Sequence, residues 1–111
     1  MNSKFDEFAL NYLRAYERKD LAAIAAMLTE DVLLQDWNVS GQGREFFLEQ
    51  TRFNFQGPNK IDIVVNDLLS AGNVVAAQLK ITLDDSLELD VVDVITFSEQ
   101  GQIAQIRAYK G

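Results

Sequence analysis

The chain has 111 residues, 48% hydrophobic and 10% aromatic. This suits one domain over 1–111 with a real core and excludes a disordered chain. Its net charge of −7 argues against nucleic acid or an anionic membrane surface as partner, while leaving a small neutral or basic ligand open. With no cysteine and no histidine, disulfides, thiol nucleophiles, Ser-His-Asp chemistry and Cys or His metal sites are excluded.

The opening Met1–Glu7 has no apolar core of signal-peptide length and carries acids early. With no apolar run long enough to span a bilayer either, the expectation is a cytoplasmic protein. Phe5, Phe8, Ala9, Tyr12, Leu13 and Tyr16 follow the spacing of an amphipathic helix. Ser3 is its expected N-cap, Asp6 and Glu7 suit its first turn, and Arg14, Arg18 and Lys19 suit its last. Asp20 then caps a shorter predicted helix from Leu21 to about Leu28.

A short strand is predicted from Val32 to about Trp37, followed by a loop over Asn38–Gly43. Asn38-Val39-Ser40 matches a glycosylation sequon, read here as chance. Arg44 to about Phe53 reads as a third helix, and Gly57-Pro58-Asn59 breaks the chain. Four strands are then predicted over 60–70, 73–83, 87–97 and 102–110. Their short connections favour antiparallel hairpins. Helices first and a meander second argue for α+β, with helices on one face of a curved sheet.

Within the third of these strands, Asp93 shares a face with Leu89, Val91, Ile95 and Phe97. A carboxyl on an apolar face needs hydrogen-bond partners or keeps its proton through a raised pKa. The structural alternatives are a bond to a neighbour such as Arg107, or a β-bulge that turns Asp93 to solvent. Asp84, Asp85, Glu88 and Asp90 lack the spacing and glycine of a calcium loop and read as a solvated hairpin. Gly41-x-Gly43 is too short for a phosphate loop.

The order of local signatures resembles the nuclear transport factor 2-like superfamily, especially its SnoaL-like and ketosteroid-isomerase-like branches. The residues that carry the resemblance start with Tyr12-Leu13-Arg14-Ala15-Tyr16 into Lys19-Asp20-Leu21, then Leu28-Thr29-Glu30-Asp31-Val32 and Gln35-Asp36. Gly43-Arg44-Glu45-Phe46-Phe47 follows, then Asp93-Val94-Ile95-Thr96-Phe97, Gly101-Gln102-Ile103 and Ile106-Arg107-Ala108-Tyr109. The resemblance implies a cone-shaped curved antiparallel sheet packed against three N-terminal helices, a fold also described as cystatin-like. It further implies a pocket inside the cone and a homodimer through the outer sheet face.

In ketosteroid isomerases an Asp base works with an oxyanion hole made of a Tyr and a protonated Asp. By resemblance, Asp36 is the base, Tyr12 the phenol donor and Asp93 the protonated acid. No cofactor and no metal are implied. Among the aromatic residues, Trp37, Phe47, Phe53 and Phe55 are the expected ligand-binding set, with Phe46 beside them, although such spacing also builds ordinary cores. Structural roles compete for the three polar residues too: a core tyrosine for Tyr12, a loop cap for Asp36.

Two departures stand out. Trp37 follows the expected base where ketosteroid isomerases usually have proline, and the Asn38–Gly43 loop is shorter than theirs. Both point to a small apolar carbonyl compound, smaller than a steroid. The alternatives are a non-catalytic dimeric binding domain for an apolar ligand and a SnoaL-like cyclase or hydrolase. Many such hydrolases use histidine, which this chain lacks.

Overall fold

The computed structural model describes residues 3–111; the two residues that begin the Met1–Glu7 segment lie outside the described part. Helix α1 (Lys4–Glu17) starts on a reciprocal cap. The Asp6 amide donates to Ser3 Oγ at 3.2 Å, and the Ser3 amide donates to Asp6 Oδ2 at 3.1 Å. Amides that a helix start leaves without partners are thereby satisfied. Ala9, Tyr12 and Leu13 form the buried stripe that the periodicity predicts. Helix α2 (Leu21–Met27) is capped by Asp20, whose carboxylate accepts from the Ala23 amide at 3.1 Å.

Strand β1 (Leu28–Gln35) follows α2 directly, since Leu28 already has extended geometry at φ −95°, ψ 146°. It therefore begins earlier than the predicted Val32 and ends before Trp37. A three-residue strand β2 (Ser40–Gln42) pairs with it, where the sequence suggests only a loop. Such a short edge strand has weak local propensity and forms because β1 offers it a ladder. Gly41 is needed there, because a Cβ at that position would lie 2.6 Å from the Phe46 ring. Helix α3 (Arg44–Gln56) runs one turn beyond the predicted end and stops before Gly57-Pro58.

The remaining strands are β3 (Ile61–Ala71), β4 (Val74–Leu83), β5 (Leu87–Phe97) and β6 (Ile103–Lys110). They form one curved sheet with β1 and β2, in the order β2-β1-β6-β5-β4-β3. The four-strand meander is antiparallel as expected. To this antiparallel sheet β1 adds one parallel pairing, with β6. Successive reversals from β3 leave β6 running in the sense of β1, and α3 makes the crossover between the two halves.

Val75, Ala77, Leu79, Val91, Ile95 and Phe97 point inward from β4 and β5, joined by Ile103 and Ile106 of β6. The helices supply Ala9, Leu13, Ile24 and Phe47 to the same core. Phe97 stacks on Phe5 with ring centroids 5.5 Å apart and meets Phe8 at 6.0 Å, filling one end of the fold. The C-terminal end of α1 is stitched to β3. Arg14 donates to the Ile63 carbonyl at 3.1 Å, and Glu17 accepts from the Ile63 amide at 2.7 Å. Among the described residues, no helix is long and apolar enough to cross a membrane.

Candidate active site

Asp93 points into the interior. It stands opposite Ala77 on β4 and Ala108 on β6, in a register that runs unbroken on both sides of it. The nearest irregularity on β5 falls between Thr96 and Phe97, so no bulge turns Asp93 to solvent. Arg107 pairs with Val94 and belongs to the other face, so it is not a partner for Asp93. Two alanines as neighbours leave space in front of the carboxyl. This is where the filled core gives way to a cavity.

The cavity has a volume of about 230 Å³. Tyr12, Asp36 and Asp93 all line it, together with Trp37 and Phe47. Leu79, Ile81, Leu89, Val91 and Ile106 make much of its apolar wall. Tyr12 reaches it from the buried stripe of α1, its ring 6.4 Å from Phe47 in an edge-on contact. Among the described residues, neither the Tyr12 hydroxyl nor the Asp93 carboxyl has a hydrogen-bond partner. A donor without a partner on a cavity wall is available to a ligand.

Burial pushes the Asp93 carboxyl up to about 7, and the nearby charge of Asp36 adds to the shift. The Tyr12 phenol is pushed well above its ordinary value by burial first, then by Asp93 and Tyr16. Tyr12 thus stays protonated, and Asp93 holds its proton into the neutral range. Both neutral forms are hydrogen-bond donors.

Asp36 sits in the turn between β1 and β2. Its Oδ1 accepts from the amides of Asn38 at 2.7 Å and Val39 at 2.8 Å. That is the loop-capping role, yet it engages one oxygen only. Oδ2 accepts no hydrogen bond among the described residues, so Asp36 caps the turn through one oxygen while the residue also lines the cavity.

The expected aromatic set divides. Trp37 and Phe47 are at the cavity, whereas Phe53 and Phe55 are not among its lining residues. Phe53 is 72% exposed on the outer side of α3. Phe55 packs edge-on against Tyr16 from behind, with ring centroids 4.9 Å apart. The reason is helical phase: Phe47, Gln50, Thr51 and Asn54 share the face of α3 that lines the cavity, and Phe53 falls away from it. Trp37 is 43% exposed, with Lys110 Nζ 5.6 Å from its ring centroid.

Sequence reasoning did not single out Tyr16, Gln50, Thr51 and Asn54, which also line the cavity. The i, i+4 relation of Tyr12 and Tyr16 was visible, but their shared exposure to a cavity was not. Burial, then Asp93 and Asp36, raise the Tyr16 phenol to about 12 against the opposing pull of its hydrogen bond with Asn54. The acidic hairpin has a use too: Asp84 Oδ1 accepts from the amides of Asn59 and Lys60, both at 2.8 Å. This ties the α3–β3 connection to the β4–β5 hairpin beside Pro58 and Leu83 of the cavity wall. Among the described residues, no three acidic side chains gather as a metal-holding group.

Solved structures share this architecture. A candidate SnoaL-like polyketide cyclase from Shewanella denitrificans superposes with a TM-score of 0.89 at 12% identity, covering 99% of this chain and 92% of that one. A candidate ketosteroid isomerase from Kribbella flavida gives 0.82 at 23% identity, with 96% and 77% covered. An NTF2-like protein of unknown function from Cytophaga hutchinsonii gives 0.82 at 15% identity, with 100% and 93% covered. At these identities the likeness establishes the fold. Among curated proteins no sequence matches this chain. The SnoaL-like domain family matches residues 9–106, nearly the whole sequence, and the chain belongs to that family.

Proposed function

We propose that this protein is a cofactor-free isomerase that moves a proton alpha to the carbonyl of a small, largely apolar ketone. One observation carries the reading: Tyr12, Asp36 and Asp93 line a single cavity, and among the described residues the Tyr12 hydroxyl and Asp93 carboxyl have no hydrogen-bond partner there. Asp36 Oδ2 takes the α-proton. The C–H electron pair becomes the enolate double bond, and the carbonyl π pair moves onto oxygen. Tyr12 and the protonated Asp93 donate hydrogen bonds to that oxygen. The oxygen pair then re-forms the carbonyl, and the enolate double bond shifts to the α,β position. The π pair of the substrate's β,γ double bond takes the proton back from Asp36 at the γ-carbon. Two aspartates divide acid and base roles because one faces alanines in the interior and the other sits on a polar turn.

The candidate isomerase among the structural neighbours supports the reading at the level of shared fold. The cavity supports a substrate smaller than a steroid, since sites for drug-sized ligands run to ~300–1,000 Å³. The test follows conversion of a β,γ-unsaturated cyclic ketone to its conjugated isomer by ultraviolet absorbance. Turnover that disappears in Asp36→Asn supports the mechanism; no turnover above the buffer rate across several ring sizes rejects it.

The reading includes a second copy of the chain against the outer sheet face. Val64 and Leu69 of β3 and Tyr109 of β6 are exposed there at 56%, 66% and 50%. Val92 and Val94 of β5 lie between them in register. Apolar side chains spread over one sheet face suit a self-complementary pairing.

A further inference from the structure

Asn54 Nδ2 lies 3.1 Å from the Tyr16 hydroxyl, joining α3 to α1 on the wall of the cavity. Asn54 is exposed and Tyr16 half-buried, whereas Tyr12 is 5% exposed, so this pair stands nearer the mouth than Tyr12 does. The bond between them leaves capacity on both partners. When the amide donates to the phenol oxygen, the Tyr16 O–H remains to donate and Asn54 Oδ1 remains to accept. With the amide turned over, Asn54 keeps its N–H groups and the phenol oxygen keeps its lone pairs. Either way the pair offers one donor and one acceptor to whatever enters.

The wall has two further properties that narrow the occupant. Its carboxyl groups are Asp36 and the protonated Asp93, with no Lys or Arg among the lining residues. An anionic substrate would meet the Asp36 carboxylate with no cation on the wall itself, which selects against carboxylates and phosphates. Tyr12 and Tyr16 are one helical turn apart, with ring centroids separated by 6.0 Å. A turn of ~5.4 Å is comparable to the distance across one six-membered ring. At a water's ~30 Å³ of liquid volume, the cavity holds on the order of ten non-hydrogen atoms.

We infer that the cavity takes an uncharged, ring-sized ketone carrying a second hydroxyl or carbonyl, which Tyr16 and Asn54 recognise while Tyr12 and Asp93 hold the reacting carbonyl. Tyr16 and Asn54 then determine specificity and do not touch the reacting atoms. The inference rests on the proposed isomerase reading for the identity of the first group. It is tested by binding, so its outcome is separable from the question of turnover.

The probes are cyclohexanone bearing a hydroxyl directly across the ring and the same ketone with a methyl group in that place. Neither has a double bond to move, so affinity is read without reaction. Titration is followed by fluorescence of Trp37, the single tryptophan of the chain, which lines the cavity. The hydroxyl compound is expected to bind roughly three- to tenfold tighter than the methyl compound, the value of one or two neutral hydrogen bonds. Tyr16→Phe and Asn54→Leu are each expected to erase that preference, with far-ultraviolet circular dichroism reporting an intact fold. Equal affinities in the wild type, or a preference that survives both substitutions, would overturn the inference. Loss of isomerase turnover with the preference intact would reject the proposed reaction and leave the recognition pair standing.

Discussion

Asp36 and Asp93 line the same cavity from different parts of the fold, and the charge of Asp36 reinforces burial in keeping the proton on Asp93. Two identical side chains thereby acquire opposite capabilities. Asp93 lies on β5 between two alanines, where an anion is poorly solvated. Asp36 holds the β1–β2 turn through Oδ1 and lines the cavity from that polar turn.

Tyr12→Phe separates chemistry from packing. The hydroxyl has no protein partner among the described residues, so its removal should leave thermal stability unchanged or slightly raised. Turnover of the unsaturated ketone should fall by roughly 10²–10³, the usual cost of one oxyanion donor. Circular-dichroism melts and initial rates on the same preparation check both halves. A large loss of stability would mark Tyr12 as a structural residue instead.

Asp36→Asn keeps the Oδ1 acceptor that receives the Asn38 and Val39 amides, so the turn should persist. What it removes is the proton-accepting carboxylate. Turnover should drop by ~10²–10⁴, the range of a general base, with little change in the affinity of a saturated ketone.

The pH dependence follows from Asp93. Its carboxyl is raised from 3.8 to about 7 in the folded chain, so the folded state holds that proton more tightly than the unfolded state. The group's contribution to stability is full below about 4, declines as pH rises towards about 7 and is flat above it. Linkage bounds the change at up to ~4 kcal/mol. Turnover should also fall as pH rises through 7, because the donor becomes an anion. Asp93→Asn should flatten the stability profile between pH 4 and 7 and remove that fall in rate, as urea titrations and rate profiles would show.

Gly101→Ala tests the β5–β6 turn. Gly101 has φ +83°, and a Cβ there would lie 2.7 Å from the Phe8 ring, which packs on Phe97. Left-handed geometry and a crowded aromatic contact should together cost ~1–3 kcal/mol, measured by urea unfolding.

For the proposed pairing of two chains, Val94→Glu places a charge at the middle of the outer sheet face. Sedimentation should show a dimer for the wild type and a monomer for the variant. A wild-type monomer at every concentration would remove the pairing from the proposal.

Much of this was legible in the residues alone. Helix α1 is an apolar stripe with a cap, and the meander is a set of alternating strands with short turns. Both are local patterns, and local free energy decides them. The inward side of Asp93 followed from strict alternation along β5. Other features are sums over residues far apart in the chain, and those only the tertiary structure decided. The parallel pairing of β1 with β6 depends on how many reversals lie between them, and β2 exists because β1 offers an edge. Phe53 lies off the cavity wall through helical phase, while Tyr16 and Asn54 meet on that wall through a contact between two helices. Above all, the sequence determined that a phenol at Tyr12 and carboxyls at Asp36 and Asp93 are present. Folding alone put alanines beside Asp93, so that an acid on a core-facing strand borders a cavity.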